Sequence, residues 1–416
     1  MNILFVTSRL PVPSTRGDQV RSYHFLRGLS RDHTVTVVTS GHRPPSSEDV
    51  HRAQEVCADL QIVPVSRWKG LLRLARAPFT SLPLQTLYYC HPEVGTRLAA
   101  LTRTKRFDLL HVQYLRLAPL IEGLALPTVV DLIDAQSLVM ARRTAQERGP
   151  MGRIAALEAQ RVAHYEQVLS QTCDRLIVSS SLDRRAIGSY PNVAVVRNGV
   201  DPDRFPFIET GRDPATIVMT GRMGYFPNTD AVSHFATAIF PCVQRAVPAA
   251  RFVIVGADPP PSVKRLGRLP GVTVTGFIPR IQDALARATV AVAPMRAGSG
   301  IQNKVLEAMA SGVPVVATPT GLAGMEATPG THLLVADTPG PFADAVTRLL
   351  LDQALARMIA RNARALVESQ YTWERCADEL QAVYKSLLQC RTGTGESYST
   401  SKKRGATTVT QERRSP

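Results

Sequence analysis

Short apolar runs rich in valine, isoleucine and leucine recur along this chain, separated by stretches whose apolar residues fall at helical spacing. A first series of strand candidates comprises Ile3–Thr7, Thr34–Thr39, Leu60–Val63, Leu109–Val112, Thr128–Leu132, Leu176–Ser179 and Val193–Val196. A second comprises Thr216–Thr220, Phe252–Val255, Val272–Thr275, Val290–Ala293, Val313–Ala317 and Leu333–Val335. These runs are apolar on both faces, as strands are when helices cover both sides of a parallel sheet. Turn residues cluster at Asn198–Pro206, and beyond them the strand–helix order starts again. The pattern predicts an α/β protein with two doubly wound domains, residues 1–200 and 201–368. Residues 342–368 read as helical and Trp373–Leu388 as a final helix, within a terminal element over 369–390. From Arg391 the chain turns polar, Ser/Thr/Gly-rich and basic, so 391–416 is expected to be a disordered tail.

The densest signal is Ala297–Thr318, where a small-residue loop runs into a short helix, Gly312 closes it, and a β-branched strand follows. A helix start offers free backbone N–H groups and a positive dipole end, which suit a phosphate. Lys304 stands in the first turn, where a cation opposes the dipole unless an anion docks beside it. Glu307 lies three residues on and shares its face. Read locally, the same residues also fit a helix capped by Ser299 and Gln302 with Lys304 and Glu307 as a surface pair.

Composition narrows the function. The chain has 416 residues, enough for two cores, and 44% of them are hydrophobic. Its net charge of +15 comes from 49 basic residues, of which seven are lysine. The arginines are dispersed, without the aromatic–basic interleaving of single-strand binders, so nucleic acid is not the expected partner. The six cysteines are scattered with no zinc-type spacing, which suits free thiols in a reducing compartment. A buried strand begins at Met1-Asn2-Ile3, and no apolar run approaches the roughly eighteen residues of a membrane span. A cytoplasmic protein is expected.

Other segments carry chemistry at strand ends, where parallel folds place ligand clefts. Gly17 and Asp18 open the first helix, and Gly221-Arg222 follows the first strand of the second series. Asp131 and Asp134 end the strand Thr128–Leu132 and could face a sugar or cap a helix. His111 reads as a packed histidine, and Asp201-Pro202-Asp203 as a turn rather than a metal motif. No metal is expected. In Arg67–Phe79, residues Trp68, Leu71, Leu72, Ala75 and Phe79 share one helical face flanked by Arg67, Lys69, Arg73 and Arg76. That pattern fits an anionic bilayer surface, but a core-facing helix gives it too and is the leading expectation.

The segment Ala297–Thr318 resembles the donor-binding signature of the retaining glycosyltransferases with two Rossmann-like domains facing a cleft (the GT-B fold, group 1, family 4-like). That signature has two glutamates separated by seven residues, then Ala-Met-Ala-x-Gly-x-Pro-Val-Val-Ala. Glu307 matches the second glutamate, and Ser299 stands where the first belongs. Asn198-Gly199-Val200-Asp201 resembles the family's linker, and Gly17-Asp18 its phosphate loop. Thr220-Gly221-Arg222 resembles its Gly-Arg-Leu loop, although the lysine expected at 227 or 228 is replaced by Pro227 or Asn228. The resemblance implies that the last helix crosses back to the first domain. It implies a nucleoside-diphosphate-sugar donor, used as substrate with no cofactor, held by Gly17, Asp18, Arg222, Ser299, Gly300, Ile301, Asn303, Lys304 and Glu307. Arg222, Lys304 and Asp134 are the expected catalytic residues, with Lys304 replacing the missing lysine. The acceptor would be a glycan or lipid-linked glycan, with peripheral contact at the inner face of the membrane through residues 67–79. Met223–Ala231 looks most like exopolysaccharide sugar transferases associated with exosortase and PEP-CTERM sorting. A nucleotide-sugar epimerase of the same fold and a non-catalytic nucleotide-sugar-binding relative are the alternatives.

Overall fold

The computed structural model describes residues 1–13, 16–146, 149–188, 190–298 and 300–393. The candidate Ser299 and the tail beyond Gly393 lie outside the described residues. The first series forms one parallel sheet: β1 (Asn2–Thr7), β2 (Thr34–Gly41), β3 (Asp59–Pro64), β4 (Leu109–Gln113), β5 (Thr128–Ile133), β6 (Arg175–Val178) and β7 (Val193–Val195). The second forms another: β8 (Thr216–Thr220), β9 (Arg251–Val255), β10 (Val272–Gly276), β11 (Val290–Ala293), β12 (Val315–Ala317) and β13 (Leu334–Val335). Their orders are β3-β2-β1-β4-β5-β6-β7 and β10-β9-β8-β11-β12-β13. Each sheet reverses direction of growth beside its first strand, between β1 and β4 and between β8 and β11. Crevices for ligands open at the carboxyl ends of strands flanking such a reversal.

The helices that matter for function are α1 (Gly17–Leu29), α2 (Arg67–Leu74), α3 (Leu84–Tyr89), α4 (Gln136–Gln146), α5 (Pro150–Thr172), α6 (Ser181–Ile187), α7 (Asn303–Ala310) and α8 (Trp373–Gly393). The last packs on the first. An added Cβ on Gly28 would lie 2.6 Å from the Ala377 Cβ, so the two helices approach too closely for a larger residue. Trp373 stacks on His24 with ring centroids 4.6 Å apart, and Tyr384 bonds the buried His111 at 2.8 Å. Phe5 stacks on the other face of that core, 4.3 Å from the His111 ring, and burial drops the imidazole to about 4. His111 is therefore a neutral packing residue.

Arg21 and Asp131 pair at 2.7 Å with both side chains fully buried. Arg21 also donates to the Asn198 Oδ1 at 2.8 Å and to the backbone of Arg197 and Val196, tying α1 to β5 and to the linker. Asp131 is thus a structural counter-ion and not the helix cap considered above. In Asp201-Pro202-Asp203, the Asp201 carboxylate accepts from the backbone N–H groups of Asp203 and Arg204, closing a turn.

One expectation is overturned. The apolar face of Arg67–Phe79 does not enter the core: Trp68, Leu71, Leu72 and Phe79 are all exposed. The helix is seated by its opposite side, where Gly70 lies against Tyr88; an added Cβ there would stand 2.9 Å from the Tyr88 carbonyl. Periodicity identifies an amphipathic helix but does not state which side is covered.

Candidate active site

Loops from both domains meet at the carboxyl ends of β1, β5, β8 and β11. On the first domain, Gln113 joins β4 to the start of α1: its amide donates to the Asp18 carbonyl at 3.1 Å and accepts from Ser22 at 2.7 Å. The Arg16 side chain does not cap α1, whose first turn begins at Gly17. Gly17 faces the second domain, where an added Cβ would be 3.9 Å from the Asn303 side-chain nitrogen. Asn303 begins α7, which also lacks a side-chain cap. Two helix starts with positive dipole ends therefore confront each other across the cleft.

The Asp18 side chain is already committed. It pairs with Arg9 at 2.5 Å and lies 3.6 Å from Arg116, within the first domain. This carboxylate is therefore held inside the first domain by Arg9 and Arg116. Arg16, which sequence reasoning did not single out, stands beside Gly17. Burial, and then the like charges of Arg9 and Arg222, pull its pKa down, which puts cations of both domains within one field.

In the second domain Arg222 pairs with the exposed Asp258 at 2.7 Å. The buried Asn228, at the position where the resemblance expected a lysine, instead donates to the Arg222 carbonyl at 2.9 Å and holds that loop. Lys304 reaches the same loop: an added Cβ on Gly221 would lie 3.4 Å from its Cε. Its ammonium donates to the Gln302 Oε1 at 2.9 Å. The surface pair with Glu307 is not formed. Burial lowers Lys304 to about 8 and raises Glu307 to about 7, each offset by the charge of the other. Both groups are desolvated in the cleft without a neutralising ion pair, an arrangement suited to a ligand carrying its own charge and hydroxyls.

α7 is positioned by its buried face, Val305, Leu306, Ala308, Met309 and Ala310. Gly312, with φ of 72°, ends it as the local sequence predicts, and Val313 donates back to the Ala308 carbonyl at 2.9 Å. Ile301 is buried in the second core and anchors the loop before the helix.

Asp134 crosses from the first domain to this loop. It accepts from the Ser179 hydroxyl at 3.1 Å, and an added Cβ on Gly300 would fall 1.8 Å from its Oδ1. Gly300 also adopts φ of 67°, so the position excludes a side chain on two counts. Burial and the neighbouring Asp183 raise the Asp134 carboxyl well above the usual range. Asp183 accepts from the Gly300 and Ala135 backbone N–H groups, and Arg142 donates to the Gly298 carbonyl. This clasp ties α4 and α6 to Gly298 and Gly300, and neither Arg142 nor Asp183 stands in a sequence pattern that announces it. Two non-glycine residues with left-handed backbone, Tyr114 (φ 77°) and Ile133 (φ 67°), terminate β4 and β5 on this side. Such strain collects at functional sites.

Residues 16–204 match the family described as Glycosyltransferase Family 4, and residues 214–352 that described as Glycosyl transferases group 1. The chain is 28% identical over 233 residues to the lipopolysaccharide core biosynthesis mannosyltransferase LpsB of Rhizobium meliloti. That match covers 51% of this chain and 66% of the relative. Among solved structures, sucrose-phosphate synthase from Thermosynechococcus elongatus superposes with a TM-score of 0.72 at 18% identity, covering 94% of this chain and all (100%) of that one. Anabaena HepE, in complex with UDP and glucose, gives 0.63 at 16% identity, covering 93% and 100%. The sheets, their order and the two matched segments agree: this chain has the two-domain GT-B fold of the group 1 and family 4 glycosyltransferases.

Proposed function

We propose that the protein is a retaining, metal-independent glycosyltransferase that moves a hexosyl group from a nucleoside-diphosphate sugar to a glycan or lipid-linked glycan. The observation that carries this reading is that Arg222, the buried Lys304 and the starts of α1 and α7 border one cleft between the domains. Guanidinium, ammonium and helix N–H groups together stabilise the charge that develops on a departing diphosphate. The mannosyltransferase relative and the UDP complex of HepE support a nucleotide-sugar donor.

In this reading the bond from the sugar anomeric carbon to the diphosphate oxygen breaks while the acceptor oxygen bonds on the same face. The acceptor proton passes to the departing phosphate oxygen. The protein then needs no side-chain nucleophile, and its contribution is positioning and charge stabilisation. Asp134, beside Gly300 and with its pKa raised by burial, is the carboxyl that faces the sugar hydroxyls where Ser299 replaces the family's glutamate. Glu307, one turn into α7, takes the donor ribose. The resemblance of Met223–Ala231 supports a role in bacterial exopolysaccharide assembly, which we propose takes place in the cytoplasm.

Incubating the purified protein with UDP-, GDP- and ADP-sugars, with and without oligosaccharide acceptors, tests the proposal through release of nucleoside diphosphate. Acceptor-dependent release with the anomeric configuration preserved is expected. Epimerisation without acceptor, or binding without turnover, would refute it.

A further inference from the structure

The outward apolar face of Arg67–Phe79 is large. Trp68, Leu72 and Phe79 are 76%, 74% and 89% exposed, and Leu71 47%. Beside Gly70, Arg73 also seats α2: its Nε donates to the Leu87 carbonyl at 3.2 Å, and its Nη2 meets the His91 Nδ1 at 2.6 Å. The patch continues onto α5. Arg161 donates to the Ala77 carbonyl at 2.7 Å, and Glu158 accepts from the Leu84 N–H at 2.9 Å. One turn earlier on that helix, Ile154 and Leu157 are about half exposed. Exposed cations rim the whole: Arg67 and Arg76 on the α2 stretch and Arg153 on α5, with Lys69 held by Glu93 at 2.7 Å.

We propose that this face docks on an anionic lipid bilayer and presents the cleft to a membrane-anchored acceptor. Aromatic and aliphatic side chains enter the headgroup boundary while the surrounding cations meet lipid phosphates. Charge complementarity selects this occupant. A second copy of the chain docked face to face about a two-fold axis would bring one basic rim against another, with no acidic rim among the described residues to match it. The patch is also one helix from the cleft. α2 rests on Tyr88 of α3, the adjacent Tyr89 hydroxyl accepts from Arg9 at 3.2 Å, and Arg9 pairs with Asp18 at the start of α1. The acceptor clause rests on the transferase reading above; the docking clause does not.

Co-sedimentation with phosphatidylcholine vesicles, with and without phosphatidylglycerol, tests the docking. Binding only to the anionic vesicles, reversed by high salt, is expected. A Trp68→Ser, Leu72→Ser, Phe79→Ser variant should lose sedimentation at least tenfold. Its melting temperature, and its nucleoside-diphosphate release with a water-soluble acceptor, should stay unchanged. Failure of the wild type to bind, equal binding of the variant, a collapse in melting temperature, or concentration-dependent dimerisation abolished by the variant would each overturn the proposal. Nucleoside-diphosphate release measured without lipid reports separately on the transferase reading.

Discussion

Lys304 provides a test of the donor site that does not depend on identifying the acceptor. In the free protein its pKa falls from 10.5 to about 8 because it is buried, with only partial relief from Glu307. At 1.36 kcal/mol per unit, that fall is worth about 3 kcal/mol against the charged form. A diphosphate beside the ammonium supplies the missing counter-charge and returns the value toward that of a free lysine. Near pH 9 the free protein holds this proton in only about a tenth of molecules and the complex in nearly all, so donor binding should take up close to one proton. Glu307 acts with the opposite sign. Its pKa is raised to about 7, and hydroxyl donors from a ribose favour the ionised carboxylate, so binding near pH 6 should release a proton. Titration calorimetry of UDP or GDP in buffers of different ionisation enthalpy reads both directly. Lys304→Met should abolish the uptake at pH 9, leave the release at pH 6, and lower kcat/KM by about 30- to 900-fold, the ~2–4 kcal/mol of a preorganised cation. Uptake that persists in Lys304→Met, or is absent from the wild type, would refute the placement of the diphosphate at this lysine.

Three further outcomes follow from the geometry. Glu307→Gln should raise the donor KM more than it lowers kcat, and should make the free protein more stable above pH 7. The native carboxyl favours folding only while protonated, so its contribution is lost as pH rises from about 4.5 through about 7; denaturant melts across that window check the sign. Gly300→Ala puts a Cβ on the Asp134 carboxylate across the cleft, which the domains can relieve by opening. Activity should fall more than about tenfold while the unfolding free energy drops by no more than the ~1–2 kcal/mol of a left-handed alanine, and X-ray scattering should report a larger radius of gyration. Gly28→Leu should push α8 off α1, costing about 1–3 kcal/mol of stability and exposing the α8 region to trypsin.

The sheets were legible because their strands are buried on both faces and bounded by turn residues; each strand appears within a few residues of its expected place. The helix end at Gly312 was legible for a local reason too, since a left-handed C-terminal residue favours glycine. The side-chain partnerships were not. Asp18 is taken by Arg9 and Arg116, and Lys304 turns to Gln302 instead of Glu307, because rotamers answer to neighbours brought in by the fold. The Asp183–Gly300 clasp joins residues more than a hundred positions apart, and nothing in either segment announces it. The direction faced by α2 failed for a related reason. An amphipathic pattern reports two unlike faces, and only the packing of Gly70 against Tyr88 settles which one is covered.

The seating of α8 on α1 also bears on how the protein is made. Ile3 and Phe5 of β1 share a core with Trp373, Cys376, Leu380, Tyr384 and Leu387. During synthesis the first domain emerges with that core open and waits for nearly the whole chain before it can close. The second domain, whose strands and packing helices are consecutive, has no such delay. Folding from the ribosome should therefore run out of order, with the later domain consolidated first and the earlier one held incomplete, its apolar seam available to chaperones. A message truncated just before α8, once the second sheet and its helices are complete, would yield a chain with a finished second domain and an unfinished first one, a species for quality control to remove.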